Sequence, residues 1–292
     1  MWIAFLIVIL ALVAIYFGIS AGVAWYIAAP SSRHPRRTPA NLGAKYEDVC
    51  FPSHPDNIML RGWYLPGGER GTFIVVHGGK QDRADVSMKL LRLCVDLSRQ
   101  GFNVLTFDRR GCGASDAPHR FLRGHFQRDV VGAIDFVREH YGETRIYLLG
   151  VSIGAVATII GAGIDRRVRG VILDSCFAST REMAERAMRK VNRLLTVFTP
   201  GAAFMGRLIY RFPVPHAIDY IGEVNCPIFL IHGEVDRGVP VTDCARLHLA
   251  SGNSSDEVWV APAADHGQAY AQYPEEYIKR VVDFTREKCG GD

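Results

Sequence analysis

The sequence predicts an α/β fold: an eight-stranded, mostly parallel sheet flanked by helices and preceded by one apolar helix of bilayer length. Three observations lead there. Residues 1–30 carry no charged side chain, and 26 of them are apolar. From residue 45 onward, short β-branched and aromatic runs alternate with stretches of helical periodicity, the pattern of a parallel sheet covered on both faces. Between Leu173 and Pro227 some fifty residues interrupt that rhythm, too many for a single crossover helix.

The first element is the uncharged run Trp2–Ala29. A spanning helix needs roughly 20 apolar residues, and Trp2 and Trp25-Tyr26 sit where interfacial aromatics belong. A cleaved signal peptide would carry basic residues ahead of a shorter core. None precedes this one, so residues 1–30 are expected to be an uncleaved transmembrane anchor, although Gly22-Val23-Ala24 has the small-x-small form of a cleavage site. A basic linker, residues 31–44, follows with Arg33-His34-Pro35-Arg36-Arg37. Three arginines here, against only the terminal amine on the other side, direct the C-terminal body to the cytoplasm. Asn253-Ser254-Ser255 is a glycosylation sequon that would matter only in a lumen. Single sequons are common by chance, and the arginines outweigh it.

The body, residues 45–288, has strand-like runs at Tyr46–Phe51, Ile58–Leu65, Thr72–Val76, Phe102–Phe107, Arg145–Leu149, Arg169–Leu173, Ile228–Ile231 and Glu257–Val260. The first two leave no room for a helix between them and read as a hairpin. Helical spacing gathers Met88, Leu91, Cys94 and Val95 on one face of Val86–Leu97. Val130, Ala133, Ile134 and Val137 repeat the pattern, and Tyr277, Val281, Val282 and Phe284 give a looser version. Residues 175–225 are expected to form a cap or lid above the sheet edge. They contain Arg181, Arg186, Arg189, Lys190 and Arg193, then the apolar run Leu194–Phe198. A basic stretch of this kind suits anionic headgroups, though a charged helix face in water is the commoner arrangement.

Charge and cysteine content narrow the function classes. Lys and Arg total 34 against 30 Asp and Glu, for a net charge of +4, with both signs interspersed, which gives no support to nucleic-acid binding. A hydrophobic fraction of 48% excludes intrinsic disorder, and no second apolar run approaches bilayer length. The seven cysteines are an odd number and include no C-x-x-C pair, so neither a disulfide framework nor a zinc site is suggested, and a reducing compartment is expected. No H-E-x-x-H or other metal motif occurs, and no cofactor is implied.

The chief chemical signal is Gly150-Val151-Ser152-Ile153-Gly154. A buried-strand run, Ile146–Leu149, enters it and a helical run, Ala155–Ile160, leaves it. A serine on so sharp a strand-to-helix turn holds a strained backbone, and glycines two residues either side relieve the crowding. The bland alternative is a glycine-rich turn with an idle serine. A serine nucleophile needs a base, and the base an orienting acid. His266, in Asp265-His266-Gly267 after the last strand, is the best-placed base. Asp236 lies just beyond the strand ending at Ile231, and Asp174, after the preceding strand, is its rival for the acid. The oxyanion would be met by the N–H of Ile153 and by one from the loop after Phe73–Val76, with Gly79 as candidate. His77 and His232 each end a strand in a His-Gly step and read as structural. Gly111-Cys112-Gly113-Ala114-Ser115-Asp116 follows a strand as a dinucleotide loop does, but Asp116 stands where the third glycine belongs, and Ser115 lacks the turn a nucleophile needs.

Six stretches occur in order: Gly62-Trp63-Tyr64-Leu65-Pro66, His77-Gly78-Gly79, Phe107-Asp108-Arg109-Arg110-Gly111-Cys112-Gly113-Ala114-Ser115, the turn at Ser152, Ile231-His232-Gly233 leading to Asp236, and Asp265-His266-Gly267. Together they resemble the α/β-hydrolase-fold serine hydrolases, and most of all the membrane-anchored abhydrolase-domain and serine-aminopeptidase-like branch. The resemblance implies a Ser152–His266–Asp236 triad acting through an acyl-enzyme, with Gly79 and Ile153 as oxyanion donors. Its substrate would be a small-molecule or lipid-like acyl ester or thioester. A peptidase acting at N-termini and a binding protein without turnover are the alternatives. The chain departs from many relatives at Gly79-Lys80-Gln81, where Lys80 or Arg83 would either meet an acidic substrate group or, more commonly for such residues, be solvated loop cations.

Overall fold

The computed structural model covers the 292-residue chain and describes residues 1–28, 34–79, 81–117, 124–210 and 215–290. Arg33 and Lys80, singled out above, lie outside the described residues, as do Ala29 and Pro30.

All eight expected strands form, each within two residues of its expected bounds. They are β1 (Glu47–Pro52), β2 (Met59–Leu65), β3 (Thr72–Val76), β4 (Asn103–Phe107), β5 (Ile146–Val151), β6 (Val168–Asp174), β7 (Ile228–Gly233) and β8 (Glu257–Ala261). They make one sheet in the order β1-β2-β4-β3-β5-β6-β7-β8. β1 and β2 are an antiparallel hairpin and β2 runs antiparallel to β4, while every pair from β4 through β8 is parallel.

Side-chain alternation divides the core between two faces. Ile74, Val76, Leu148, Leu173 and Leu230 pack beneath α3 (Gln127–Tyr141), α4 (Ile153–Ile164) and α7 (Val241–Ser251). Phe73, Val75, Tyr147, Leu149 and Phe229 face α2 (Leu90–Arg99), the short α8 (Ala269–Gln272) and α9 (Pro274–Lys288). Helix α2 starts four residues later than the spacing predicts. The Asp85 carboxylate accepts from the Ser87 and Met88 amides at 2.8 and 3.3 Å, and Lys89 adopts a φ of 53°. These contacts hold the preceding turn out of helix.

Between β6 and β7 lie α5 (Thr180–Val191), a 3₁₀ turn (Arg193–Phe198) and α6 (Thr199–Tyr210), in chain order. Ser179 caps α5, its hydroxyl accepting from the Glu182 amide. The expectation of a wholly solvated basic face on α5 is corrected in part. Arg186 donates to the buried Asp243 of α7 at 2.9 Å, and Arg246 of α7 donates to Glu182 at 2.8 Å. Arg189, Lys190 and Arg193 are exposed, and Arg181 pairs with Glu185 one turn away.

Helix α1 (Trp2–Ala28) has a mean hydropathy of 2.8 over Trp2–Trp25 and is long and apolar enough to cross a membrane. Six of the seven free cysteines are buried. Burial pushes the thiols of Cys94, Cys226, Cys244 and Cys289 up to about 12, which leaves them protonated and unreactive.

One buried ion-pair cluster ties three elements together. Arg110, after β4, donates from Nε to Asp129 of α3 at 2.7 Å and from Nη1 to Asp56 of the β1–β2 turn at 2.7 Å. Arg110 and Asp129 are almost fully enclosed. Removing one partner leaves an uncompensated buried charge. Asp129→Ala is therefore expected to lose about 3–5 kcal/mol of stability, seen as a lower urea midpoint with an unchanged slope.

Candidate active site

The site is assembled at the carboxyl edge of the sheet from the ends of β3, β5, β7 and β8. Ser152 joins β5 to α4 with φ 56° and ψ −120°, a left-handed backbone that is strained for a residue with a side chain. The two flanking glycines are demanded by sterics, but not by crowding against each other. A Cβ on Gly150 would meet Ala155 Cα at 2.6 Å and Thr158 Oγ1 at 2.5 Å, while one on Gly154 would overlap the carbonyl oxygens at the end of β3. The turn is thus pressed between its own helix and the neighbouring strand.

The structure brings Ser152, His266 and Asp236 into one chain of hydrogen bonds. His266 Nε2 is 3.0 Å from Ser152 Oγ, and His266 Nδ1 is 2.8 Å from Asp236 Oδ2. With Nδ1–H donating to the carboxylate, Nε2 is left as acceptor for the serine hydroxyl. Asp236 is fully enclosed. Its other oxygen accepts from the amides of Gly238 and Val239, both at 2.7 Å, which fixes the carboxylate's direction.

Asp174 lies elsewhere in this network. Its carboxylate accepts from Ser175 Oγ at 2.9 Å, and the same hydroxyl accepts from the Gly267 amide at 2.9 Å. Burial pushes the Asp174 carboxyl up in pKa, against that hydrogen bond. Asp174 therefore braces the loop that carries His266, while Asp236 contacts the imidazole. His232 donates from Nε2 to the Val239 carbonyl at 3.0 Å and so holds the Asp236 loop from below. Ser115 is also structural: it accepts from the Arg61 amide at 2.8 Å and donates to the Asp108 carbonyl at 2.5 Å.

Ile153 is the first residue of α4, so its N–H has no partner within the helix. Gly79 follows β3 in the adjacent loop, where a Cβ would stand in open space. The loop around Gly79 is held by a residue that sequence reasoning passed over. Arg109 donates from Nε to the His77 carbonyl at 3.2 Å and from Nη2 to the Gly78 and Gly79 carbonyls at 2.7 and 2.9 Å. Its own amide donates to His77 Nε2 at 3.0 Å, and His77 Nδ1 donates to the Gly78 carbonyl at 2.9 Å. Burial and the Arg109 charge depress the His77 pKa well below 6.5, so the ring is neutral, as this bonding requires. Turning three carbonyls toward Arg109 directs the peptide N–H groups of the loop away from it. The available signal was the charged run Asp108-Arg109-Arg110 directly after a buried strand.

Arg83 corrects an expectation. It is neither a solvated cation nor a substrate ligand. Its Nη1 is 2.5 Å from the buried Asp108 carboxylate, and its guanidinium stacks 4.3 Å over the Trp63 ring. The Asp108 carboxylate also fills the space a Cβ on Gly113 would need, and Gly113 has φ 51°. A cavity of about 680 Å³, lined by Arg138, Arg166, Arg167, Arg169 and Lys288, lies at the opposite edge of the sheet, before β6 and β7.

The sheet order, the strained serine turn and the Ser–Asp–His chain order define an α/β-hydrolase-fold protein of the serine-hydrolase type. Residues 67–217 match the family described as serine aminopeptidase, S33. The chain belongs to that family. It is 26% identical over 240 residues to the uncharacterized protein YfhR of Escherichia coli K12, covering 78% of this chain and 77% of that one. It is 24% identical over 264 residues to protein bem46 of Schizosaccharomyces pombe, covering 88% and 82%. Among solved structures, the esterase Pf2001 of Pyrococcus furiosus superposes with a TM-score of 0.76 at 25% identity, covering 89% of this chain and 98% of that one.

Arg109→Leu is expected to lower kcat by roughly 10–100-fold, short of losing an oxyanion donor outright, with little change in KM for an activated ester. Arg109→Lys is expected not to restore it, because an ammonium cannot span three carbonyls as the guanidinium fork does. Thermal unfolding of both variants separates this effect from lost stability.

Proposed function

We propose that the protein is a membrane-anchored serine hydrolase that cleaves carboxylic ester or thioester bonds through Ser152, His266 and Asp236. The observation that carries this reading is the pair of contacts on His266, 3.0 Å to the serine oxygen and 2.8 Å to the enclosed carboxylate. Ser152 Oγ attacks the acyl carbonyl as its proton passes to His266 Nε2. Asp236 holds the imidazole in the required tautomer and stabilises the imidazolium. The N–H groups of Ile153 and Gly79 receive the oxyanion. His266 then protonates the departing alkoxide or thiolate, and water, activated by the same histidine, releases the acyl group from Ser152.

Support for ester chemistry comes from the esterase neighbour, which aligns over 98% of its own length. The family's description favours a second reading, release of N-terminal residues from peptides. The anchor reading rests on α1. The cytoplasmic placement of the body rests on the arginines that follow it, Arg33, Arg36 and Arg37. Residues 175–225 are proposed to be the cap over the site.

A fluorophosphonate probe is expected to label the wild type and not Ser152→Ala. Equal labelling of both would overturn Ser152 as the nucleophile, and labelling of neither would leave a binding protein with a hydrolase fold. A panel of esters of varied chain length, thioesters and aminoacyl amides then separates the two enzyme readings, with turnover expected on esters and thioesters. In sealed, right-side-out vesicles the body is expected to resist added protease until detergent is present. Digestion without detergent would reverse the assigned orientation.

A further inference from the structure

The stripe of α1 that packs on α6 is the half-buried Tyr16 with the buried Ser20 and Ala24, spaced i, i+4, i+8. Tyr16 Oη accepts from the Gly201 amide at 3.2 Å and donates to the Val197 carbonyl at 3.1 Å. The Tyr16 ring stacks on Phe198 at 5.3 Å. A Cβ on Gly201 would overlap the Ser20 hydroxyl, so glycine is what allows the two helices to approach. Ser20, Ala24, Gly201 and Ala202 are buried together, a small-residue interface of the kind that packs helices in lipid, where burial of apolar surface offers no drive for association.

The outer side of the same segment is apolar and uncovered. After α1, five of the eleven exposed large hydrophobic side chains among the described residues fall between 191 and 208: Val191, Leu194, Val197, Phe204 and Leu208. They are not scattered singly, as surface hydrophobes usually are. Phe204 and Leu208 share a helix face, and the Phe204 ring lies 5.8 Å from Phe17 of α1, which makes the patch continuous with the spanning helix. The stripe from Tyr16 to Ala24 spans roughly 12 Å of helix, close to the hydrocarbon depth of one leaflet, about 15 Å.

We infer that the segment from Arg193 to Tyr210 is seated in the same leaflet as the body-proximal end of α1, with the acyl chains of the lipid surface covering Val197, Phe204 and Leu208. The inference rests on the anchor reading above and is independent of the catalytic one. Continuity with α1 is what selects lipid as the occupant. Arg207, between Phe204 and Leu208, has a stem long enough to carry its charge to the headgroups. Arg189, Lys190 and Arg193, exposed where the patch begins, suit anionic phosphates. The consequence concerns the site. The insertion leaves the sheet at Ser175, beside Ser152, whose amide donates to the Asp174 carbonyl at 2.9 Å. An insertion seated in lipid places the edge bearing Ser152 against the membrane and the basic cavity away from it.

The test uses the full chain in vesicles of phosphatidylcholine and phosphatidylserine, with an environment-sensitive fluorophore on single introduced thiols. Cys50 is the one exposed native cysteine, and Cys50→Ser removes it. Labels enter at Val197→Cys, Phe204→Cys and Leu208→Cys, so that no single misfolded variant decides the outcome. Ile9→Cys on α1 and Leu249→Cys on α7 are the lipid and water references. Lipids brominated in their acyl chains are expected to quench the labels at 197, 204 and 208 much as they quench the label at 9, leaving that at 249 unaffected. If those three behave like 249 while 9 is quenched, the inference is overturned and the anchor stands. If 9 is not quenched either, both fall. Protection of the three labels from brominated lipid and from aqueous iodide alike would mean that protein covers this face, which also overturns the inference.

Discussion

The backbone at Ser152 is the constraint on which the rest of the site depends. A residue with a side chain at φ 56° stores about 1–3 kcal/mol of strain, and the surroundings must make every relaxed alternative worse. They do so sterically. Gly150 is pressed on Ala155 and Thr158 of α4, and Gly154 on the carbonyl oxygens that end β3. β5 itself is buried along its whole length between β3 and β6. The strand cannot slide and the helix cannot retreat, so the hydroxyl stays above the sheet where His266 meets it. This arrangement needs a wide, fully packed sheet on both flanks, which is why the site lies at the middle strands and its partners arrive from loops on either side.

Those loops are held by two different kinds of bonding. On the β3–β4 side, a cationic side chain gathers carbonyls: Arg109 binds three, while Arg83 and Arg110 are matched to Asp108 and Asp129. On the β7–β8 side, carboxylates gather amides. Asp236 takes those of Gly238 and Val239, and Asp265 those of Arg237 and His266. The first arrangement turns peptide N–H groups away from Arg109, as the proposed oxyanion site requires. The second leaves negative charge facing the imidazole. The two halves present opposite electrostatic characters to Ser152, one suited to a developing anion and the other to a developing imidazolium.

The strands were legible because burial on both faces forces continuous β-branched and aromatic runs, and eight such runs became eight strands. Ser152, His266 and Asp236 could be read from residue type and chain order, since each stands just past a strand end. The arginines could not. Arg83 looks identical in sequence whether it points to water or lies over Trp63, because the choice depends on Asp108, twenty-five residues away and reached only once β4 pairs with β3. The Val86–Leu97 spacing likewise gave a helix but not its start, which the Asp85 side chain decides by capturing two amides. The insertion between β6 and β7 was visible as excess length alone. Its contact with α1 joins residues 181 positions apart, and no local pattern carries that information.

On the proposed membrane seating, the insertion meets two solvents at once. Its first helix, α5, is held to α7 of the body by charged groups, Arg186 on Asp243 and Glu182 on Arg246. Its second, α6, is held to α1 by a glycine, a serine, alanines and one tyrosine hydroxyl. Ion pairs at partial exposure tolerate water but would be costly in hydrocarbon. Small-residue packing leaves no charge to desolvate and holds helices together in hydrocarbon through close backbone approach. Under that seating the two interfaces are sorted by the medium each can withstand, with the α5–α7 side toward water and the α6–α1 side toward lipid. A hydrogen bond from Thr199 Oγ1 to Met188 Sδ, at 3.6 Å, joins them. Motion of α6 against the sheet would have to break one interface or the other, so the insertion would couple the position of the proposed anchor to the edge of the sheet that carries Ser152.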